Sequence, residues 1–539
     1  MTLAASAHSA PACRWLGWDG ATLRGDIAAP ANSTVELLLD GVVFEPAPPG
    51  GEFARTFAVS PSGNAEMEFG LRVAGTPILP AWRVLHGRSC PPGVDQWDGS
   101  PGPLQPLAGT PLPAQAASAL PAAAIVVPIF NSPRLVEACI ASVLRWTRGR
   151  ARLILIDDAS DDPAMTPLLA SHAGCDNIIM RRNARNLGYT RTTNLGIELA
   201  GSDDVVFLNS DTEVGPRWLD RLRAIAHADA AIGTVTAVSD NAGAFSVPEL
   251  ERYCPIPGAW TLEQAQRALL QNAGGCLPRL PTGNGFCMYV KRALLDRVGA
   301  LDADAFPSGY GEENDLCQRA ERAGFRHVIA GDVLVHHARS ASFGDARRTV
   351  LGAQGMAVLR ARYPDYEAEV GAMLFAFERR VLDYRVRRLY AAAGGAPPPR
   401  PRVLLAGAPA RDPALARVLS PRWDCRVLAV DGSRCRLYAV GQDAERLVDE
   451  AATADIPVLR TWLARHAIEL VHCLGAPDAV AVAIGEAARW AGVPFVAHTS
   501  LSVENAESSA RCEAAYAEAM AAGAAFPDER SPHRAGAVP

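Results

Sequence analysis

Several things are missing from this chain of 539 residues, and each absence closes off a class of protein. Its twelve cysteines include no C-x-x-C pair, although zinc sites and disulfide frameworks usually show tight spacing. They read as reduced, mostly buried thiols of a cytosolic protein. No stretch reaches the roughly 18 charge-free apolar residues of a membrane span. The best candidate, residues 117–130, is short and broken by Pro121 and Pro128. The first residues carry neither the basic start nor the apolar run of a signal peptide. An excess of one charge is absent too: the formal net charge is -6, which gives no basic footprint for a nucleic-acid partner. No G-x-G-x-x-G follows a strand, so a Rossmann oxidoreductase is a poor fit.

What is present describes a globular protein of several parts. Hydrophobic residues make up 49% and charged residues 20%, values of a folded chain and not a disordered one. The length asks for two to four domains. Residues 1–90 alternate with period two, as in "AEMEFGLRV", and Asp40-Gly41 is a hairpin signal between two apolar runs. That pattern predicts a small antiparallel β-sandwich. Residues 91–121 turn to Pro, Gly and Ala and read as a linker. Residues 122–375 alternate strands with amphipathic helices, which predicts a parallel or mixed α/β sheet. A helix and Pro-rich linker (376–401) follow, then a Rossmann-like α/β unit (402–505) and a tail (506–539). The basic stretch "RRVLDYRVRRLY" within 376–401 offers a peripheral membrane contact.

The chemistry gathers between residues 124 and 343. Asp157 and Asp158 end the apolar strand "LILI", and Pro128 and Asn131 end the strand before it. A carboxylate at a strand's C-terminal end can hold a nucleobase or a ribose, because ligands of open α/β sheets bind beyond those ends. The plainer alternative is a turn or helix cap. Asn209, Ser210 and Asp211 close "VVFLNSD", where Asp211 can ligate a cation that bridges two phosphates. Glu312, Glu313 and Asp315 open the helix "DLCQRAERAGF". One of these acids can take the proton of an acceptor hydroxyl, while the helix dipole alone would also favour acids there. The preceding "PSGYG" has the composition of a mobile lid. His336 and His337 end a strand and can complete a metal shell or meet a phosphate. Strand alternation allows only one of them to do so. Asn186, Gly188 and Asn194 in "NARNLGYTRTTNLGI", and Gly283, Asn284 and Gly285 in "PTGNGF", offer amides and close backbone approach to a ligand.

In this order, the motifs "VVPIFN", "LILIDDASDD", "RNLGYTRTTN", "VVFLNSDTEV", "TGNGFCMYVKRALLDRVGALD" and "GYGEENDLCQR", with the closing histidines, resemble the inverting family 2 glycosyltransferases of the GT-A fold. "TAVSDNAGAFSVPE" is similar to a segment of the rhamnosyl and O-antigen branch. The resemblance implies that Asp157 or Asp158 binds the nucleotide and that Asp211 holds Mg²⁺ or Mn²⁺. It also implies that Glu313, where the family has Asp, is the base, with Glu312 beside it. Asn209 stands where a D-x-D motif would have its first acid. The N-terminal sandwich is similar to accessory β domains of such enzymes, and residues 402–505 resemble the acceptor-side half of a family 4 GT-B enzyme.

The expectation is a cytoplasmic, metal-dependent enzyme of surface polysaccharide synthesis. It would move a sugar from a UDP, dTDP or GDP donor to a saccharide or lipid-linked acceptor, with no nucleic-acid partner. A sugar-1-phosphate nucleotidylyltransferase would need a glycine-rich loop where "PIFNSPRLV" stands. A non-catalytic carbohydrate-binding scaffold would have no reason to keep Asp158, Asp211, Glu313 and the histidines together.

Overall fold

A computed structural model describes the strands within residues 12–97 by their backbone, together with residues 120–522 apart from positions 176, 274–276, 308, 340–344, 375–376, 396–397, 408–412, 432–433, 441–444, 452–453, 476–477 and 499–505. The N-terminal unit has β1 (Ala12–Trp18), β2 (Thr22–Ala28), β3 (Val35–Leu39), β4 (Val42–Ala47), β5 (Gly51–Thr56), β6 (Glu66–Val73), β7 (Thr76–Leu85) and β8 (Gln96–Trp97). They form two four-stranded sheets, β5-β2-β1-β8 and β4-β3-β6-β7. Leu39 pairs with Val42 across the two-residue connection that Asp40-Gly41 signals. Arg72 meets Glu36 across β3 and β6 at 2.9 Å. Two residues of the predicted linker, Gln96 and Trp97, are instead a strand parallel to β1. The rest of 98–119 lies outside the described residues.

The central unit runs β9 (Ala123–Ile129), α1 (Pro133–Trp146), β10 (Ala151–Asp157), α2 (Met165–Ala170), β11 (Ile178–Arg182), α3 (Tyr189–Ala200), β12 (Asp204–Leu208), β13 (Thr212–Glu213), α4 (Trp218–Ala228), β14 (Ile232–Ser239), α5 (Leu262–Asn272), β15 (Cys287–Val290), α6 (Arg292–Val298), α7 (Glu312–Arg322) and β16 (Arg326–His337). Its mixed eight-stranded sheet has the order β11-β10-β9-β12-β15-β14-β16-β13. β9, β10, β11 and β12 are parallel, so their C-terminal ends, with Asp157, Asp158 and Asp211, lie along one edge. The period of two sorts each strand between two helical layers. On β9, Ile125, Val127 and Ile129 pack with Val136, Cys139 and Ile140 of α1 and Trp218 of α4. Ala124 and Val126 face the opposite way, toward Ile197 of α3, Leu294 of α6 and Leu316 of α7.

After β16 come α8 (Asp345–Arg362), α9 (Tyr366–Leu374) and α10 (Phe377–Ala392). α10 is no free linker helix. Leu382 and Val386 are buried in the central core, and the fully buried Arg379 donates to the carbonyls of Ala244 and Ser246. Arg387 pairs with Glu249 at 2.8 Å. Of the stretch proposed for membrane contact, Arg379, Leu382, Val386 and Arg387 are thus engaged on the protein itself. Among the described residues, no helix is long and apolar enough to cross a membrane.

The third unit has β17 (Arg402–Ala406), α11 (Pro413–Leu419), β18 (Asp424–Asp431), β19 (Arg434–Val440), β20 (Glu445–Ala451), α12 (Ile456–Arg465), β21 (Leu470–Leu474), α13 (Ala479–Trp490), β22 (Phe495–His498) and α14 (Ala506–Ala522). Its six-stranded sheet reads β20-β19-β18-β17-β21-β22. The four strands β18, β17, β21 and β22 are parallel, as a Rossmann-like unit requires, and β19 and β20 extend it as an antiparallel ribbon. α14 is not a tail: its Cys512 and Tyr516 are buried with Leu405, Leu415 and Leu470. The unit docks on the central one through buried polar contacts. Arg217 donates to the carbonyls of Ile468 (2.5 Å) and Ala491 (2.9 Å), and Arg267 meets Glu469 at 3.1 Å. Leu120, just ahead of β9, is buried in the third unit's own core.

Candidate active site

The nucleotide end of the sheet is held mostly by the chain itself. Asp157, 1% exposed, accepts from the Ser160 amide (2.9 Å) and pairs with Arg182 of β11. Asp158 accepts from Asn183 Nδ2 (2.8 Å), the Leu187 amide (2.8 Å) and the Gly188 amide (2.9 Å). It therefore fixes the start of α3. Gly188 has φ 85, and a Cβ there would lie 2.5 Å from the Pro307 carbonyl oxygen, so glycine is required by conformation and by space. Asn131 ties β9 to the loop after β10, donating its amide to Ser160 Oγ (2.8 Å) and accepting from the amides of Asp161 and Asp162. Pro128 sits opposite Ile156 in the parallel ladder. Exposed Asn186 accepts from the Gly188 amide at 3.1 Å. Arg182, with Arg181, Asn183, Arg185 and Leu187, lines an open cavity of about 470 Å³ along this edge.

Two of the sequence-predicted binding residues do other work. Asn194 uses both ends of its amide on the Leu301 backbone, at 2.8 and 3.1 Å, and clasps α3 to the loop after α6. Asp315, fully buried, accepts from Arg319 (2.7 Å), Arg362 (2.8 Å) and the Tyr363 hydroxyl (2.7 Å). With both carboxylate oxygens engaged, it locks α7 to α8 and has little capacity for a nucleotide. The residue that leads into the loop before α7 is held in place, and Ser308 of the expected lid lies outside the described residues. Thr190 donates to the Phe306 carbonyl, and Phe306 packs with Leu359, Tyr363 and Tyr366.

The cation end is different. Asp211 Oδ1 lies 3.3 Å from His337 Nε2. The other ring nitrogen, Nδ1, is 3.1 Å from the Asn241 carbonyl, which can only accept, so Nδ1 carries a hydrogen and Nε2 is the nitrogen turned to Asp211. A carboxylate and an imidazole nitrogen facing each other are groups that could share a divalent cation. Among the described residues no cluster of three His, Cys, Asp or Glu groups meets. This pair is what the protein offers, in keeping with cations that bind through few carboxylates plus substrate phosphates. His336 points the other way, and its Nδ1 lies 2.6 Å from Asp240 Oδ2. That hydrogen bond raises its pKa. Asn209 contributes its backbone, donating to the Phe286 carbonyl at 3.0 Å and accepting from Thr212 Oγ1 at 2.7 Å. Ser210 is half-buried in the turn before Asp211.

The turn from Thr282 to Phe286 joins the cation end to the acids. The Gly285 amide donates to Glu313 Oε1 at 3.3 Å. The next residue, Phe286, stacks on His337 with ring centroids 5.4 Å apart. Asn284 accepts from the Phe286 amide (3.1 Å) and shapes the turn, while a Cβ on Gly283 would collide with Met288. Glu312 is 3% exposed. Burial, and then the neighbouring Glu313 charge, push its carboxyl well above the usual range. Tyr189, at the start of α3, completes the cluster: a Cβ on Gly285 would lie 2.5 Å from its hydroxyl. Burial and the charges of Glu312, Glu313 and Asp211 raise its phenol pKa. Sequence reasoning passed over Tyr189, Phe286 and Arg182. A tyrosine directly after the N-L-G turn was the one local signal for any of them.

Residues 124–299 match the family described as Glycosyl transferase family 2. Over 102 residues the chain is 26% identical to EpsH of Bacillus subtilis (strain 168), a protein named as a glycosyltransferase, covering 19% of this chain and 29% of that one. Over 103 residues it is 29% identical to EpsJ of the same organism, also named as a glycosyltransferase, covering 19% and 30%. The match thus spans under a third of the length of each relative. Among solved structures, GalNAc-T7 with UDP, GalNAc and Mn²⁺ aligns with a TM-score of 0.32 at 16% identity, over 40% of this chain and 44% of that one. The mannosyltransferase PcManGT from Pyrobaculum calidifontis, in complex with GDP-Man and Mn²⁺, aligns at 0.35 and 20% identity, over 52% and 77%. Residues 124–299, most of the central unit, thus carry a Glycosyl transferase family 2 domain on a mixed α/β sheet.

Proposed function

We propose that the chain is a metal-dependent, inverting glycosyltransferase of surface polysaccharide synthesis, working in the cytoplasm. It takes a UDP-, dTDP- or GDP-linked sugar and a saccharide or lipid-linked acceptor. The observation that carries this reading is the pair Gly285–Phe286, which puts the Glu313 carboxylate and the Asp211–His337 pair on consecutive residues of one turn.

Asp211 and His337 would hold Mg²⁺ or Mn²⁺, which when bound neutralises the charge that builds on a departing diphosphate. Asp157, tied to Arg182, and the adjoining arginine-lined cavity stand at the nucleotide end. Glu313 takes the acceptor hydroxyl proton while the acceptor oxygen bonds to the anomeric carbon. The bond from that carbon to the phosphate oxygen breaks with its electrons going to the diphosphate. Attack from the face opposite the leaving group inverts the configuration. A proton held on Glu312 keeps the acidic pair at one negative charge, which leaves Glu313 free to act.

A screen of nucleotide-sugars with and without Mn²⁺, reading released nucleoside diphosphate, tests this. Metal-dependent release from one donor is expected, and proton NMR of the first product should show the anomeric configuration opposite to that of the donor. Retained configuration would overturn the inverting mechanism. Absence of both release and nucleoside diphosphate binding would overturn the transferase reading in favour of a carbohydrate-binding scaffold.

A further inference from the structure

We propose that Gln266 is a positioning residue for the Asp211–His337 pair, and that the C-terminal unit holds it in place through Glu469. The inference rests on the cation role proposed above for that pair.

β14 and β16 run parallel, but their register breaks: Ala237 faces Ala330, whereas Val238 faces Leu334. Residues 331–333 form a bulge, and a bulge leaves backbone groups without ladder partners. Gln266 of α5, fully buried, supplies them. Its Nε2 donates to the Asp332 carbonyl (3.2 Å), and its Oε1 accepts from the Leu334 amide (2.5 Å). The same Nε2 lies 3.2 Å from the Pro216 carbonyl. Gly215 makes room for it, since a Cβ there would sit 2.8 Å from Gln266 Cβ and Cγ. One amide therefore buckles two segments together. One leads out of Asp211 through β13, and the other leads into His337 through β16. Those segments pair as Thr212 with His337 and Glu213 with His336. The spacing between the two candidate ligands thus depends on where the buckle sits.

The neighbouring residue on α5 fixes that position. Arg267 is 8% exposed and meets both oxygens of Glu469 at 3.1 Å, and Glu263 one helical turn back at 2.5 Å. Glu469 is 2% exposed and precedes β21 of the C-terminal unit. Neutralising Glu469 leaves Arg267 with Glu263 alone, on its own helix, and removes the buried charge that ties α5 to the C-terminal unit, so α5 shifts. The C-terminal unit then acts as a buttress of the transferase site.

The test uses the full chain and the variants Glu469→Gln, Gln266→Leu and Gln266→Glu, the last of which keeps an acceptor for Leu334. Mn²⁺ affinity is measured by electron paramagnetic resonance of the free ion in the presence of UDP or GDP. The His337 ring resonance is followed in the metal-free, histidine-labelled chain and assigned by loss in His337→Ala. Gln266→Leu and Glu469→Gln are each expected to weaken Mn²⁺ binding about 10-fold, as removal of an outer-shell partner usually does, and to move the His337 resonance. Gln266→Glu should recover part of the affinity. Unchanged affinity and resonance in Glu469→Gln would overturn the role of the C-terminal unit, and the same result in Gln266→Leu would overturn the buckle. If the wild type binds no Mn²⁺, the cation reading falls, while an unmoved metal-free His337 resonance separately contradicts the positioning.

Discussion

The parallel strands of this chain's two α/β sheets end differently. In the central unit, the strand ends carry Asp157, Asp158 and Asp211, with His337 brought alongside by β16. In the C-terminal unit, the corresponding ends carry Gly407, Gly475 and His498, with an acid, the exposed Asp431, only at the end of the longer β18. Its histidines are closed on the protein: His472 Nε2 is 2.8 Å from His498 Nδ1, and His472 Nδ1 is 2.8 Å from the Tyr516 hydroxyl. His466 is likewise tied through Nε2 to the fully buried Asp449, whereas His337 meets its carboxylate, Asp211, at the strand ends. Fold alone does not assign chemistry, since both sheets share a doubly wound parallel core. The partner of each polar atom at the strand ends does.

The comparison can be broken most forcefully at the acids. Glu313→Gln should lower transfer by about 10² to 10⁴, the usual worth of a general base, and leave nucleoside diphosphate binding intact. His472→Gln should leave turnover per folded molecule near the wild-type value. Product formation under saturating donor checks both. A smaller effect is expected at the histidine pair. His337→Ala should raise the Mn²⁺ concentration for half-maximal activity about 10-fold or more. His336→Ala should act mainly on stability, because its imidazole is committed to Asp240.

Glu312 sharpens the contrast through pH. Its raised folded-state pKa, caused first by burial and then by Glu313, keeps a proton on Glu312 above the ordinary carboxylate range, and kcat/KM should fall as pH rises through the point where that proton is lost. Glu312→Gln should remove that limb. A carboxyl raised on folding contributes stability below its unfolded pKa and loses it as pH rises through the folded one. The same variant should therefore gain thermal stability at neutral pH.

The smallest effect is one the units share. Burial lowers the pKa of His327 and of His472 to about 4. Each lies below the ordinary histidine value, so the stability it carries is present above the unfolded pKa and is lost as pH falls from 6.5 toward 4. Each contributes at most about 1.4 kcal/mol per pH unit. Urea midpoints across that window, for wild type and for a His472→Gln variant, should differ in slope by one such group.

The legible parts of the molecule were those written locally. Apolar strands ending in acids, the helices α1, α3 and α4, and the α7 acids all stand where period and spacing put them. Long-range partners were not legible. Asn194 finds Leu301 across 107 positions, and Asp315 finds Arg362 and Tyr363 across 47 and 48. Those contacts turn two binding candidates into clasps. Strand alternation allowed one histidine ligand, and the proposal of His337 rests on long-range partners, the Asn241 carbonyl for His337 and Asp240 for His336. The β19–β20 ribbon and α14 were missed because edge strands and an alanine-rich helix carry weak patterns until a core accepts them.

The most direct measurement is Mn²⁺ broadening of the histidine ring resonances in the full chain with a nucleoside diphosphate present. The account predicts that the His337 signal broadens first and that those of His472 and His498 stay sharp. Broadening in the C-terminal unit with His337 unaffected would contradict it.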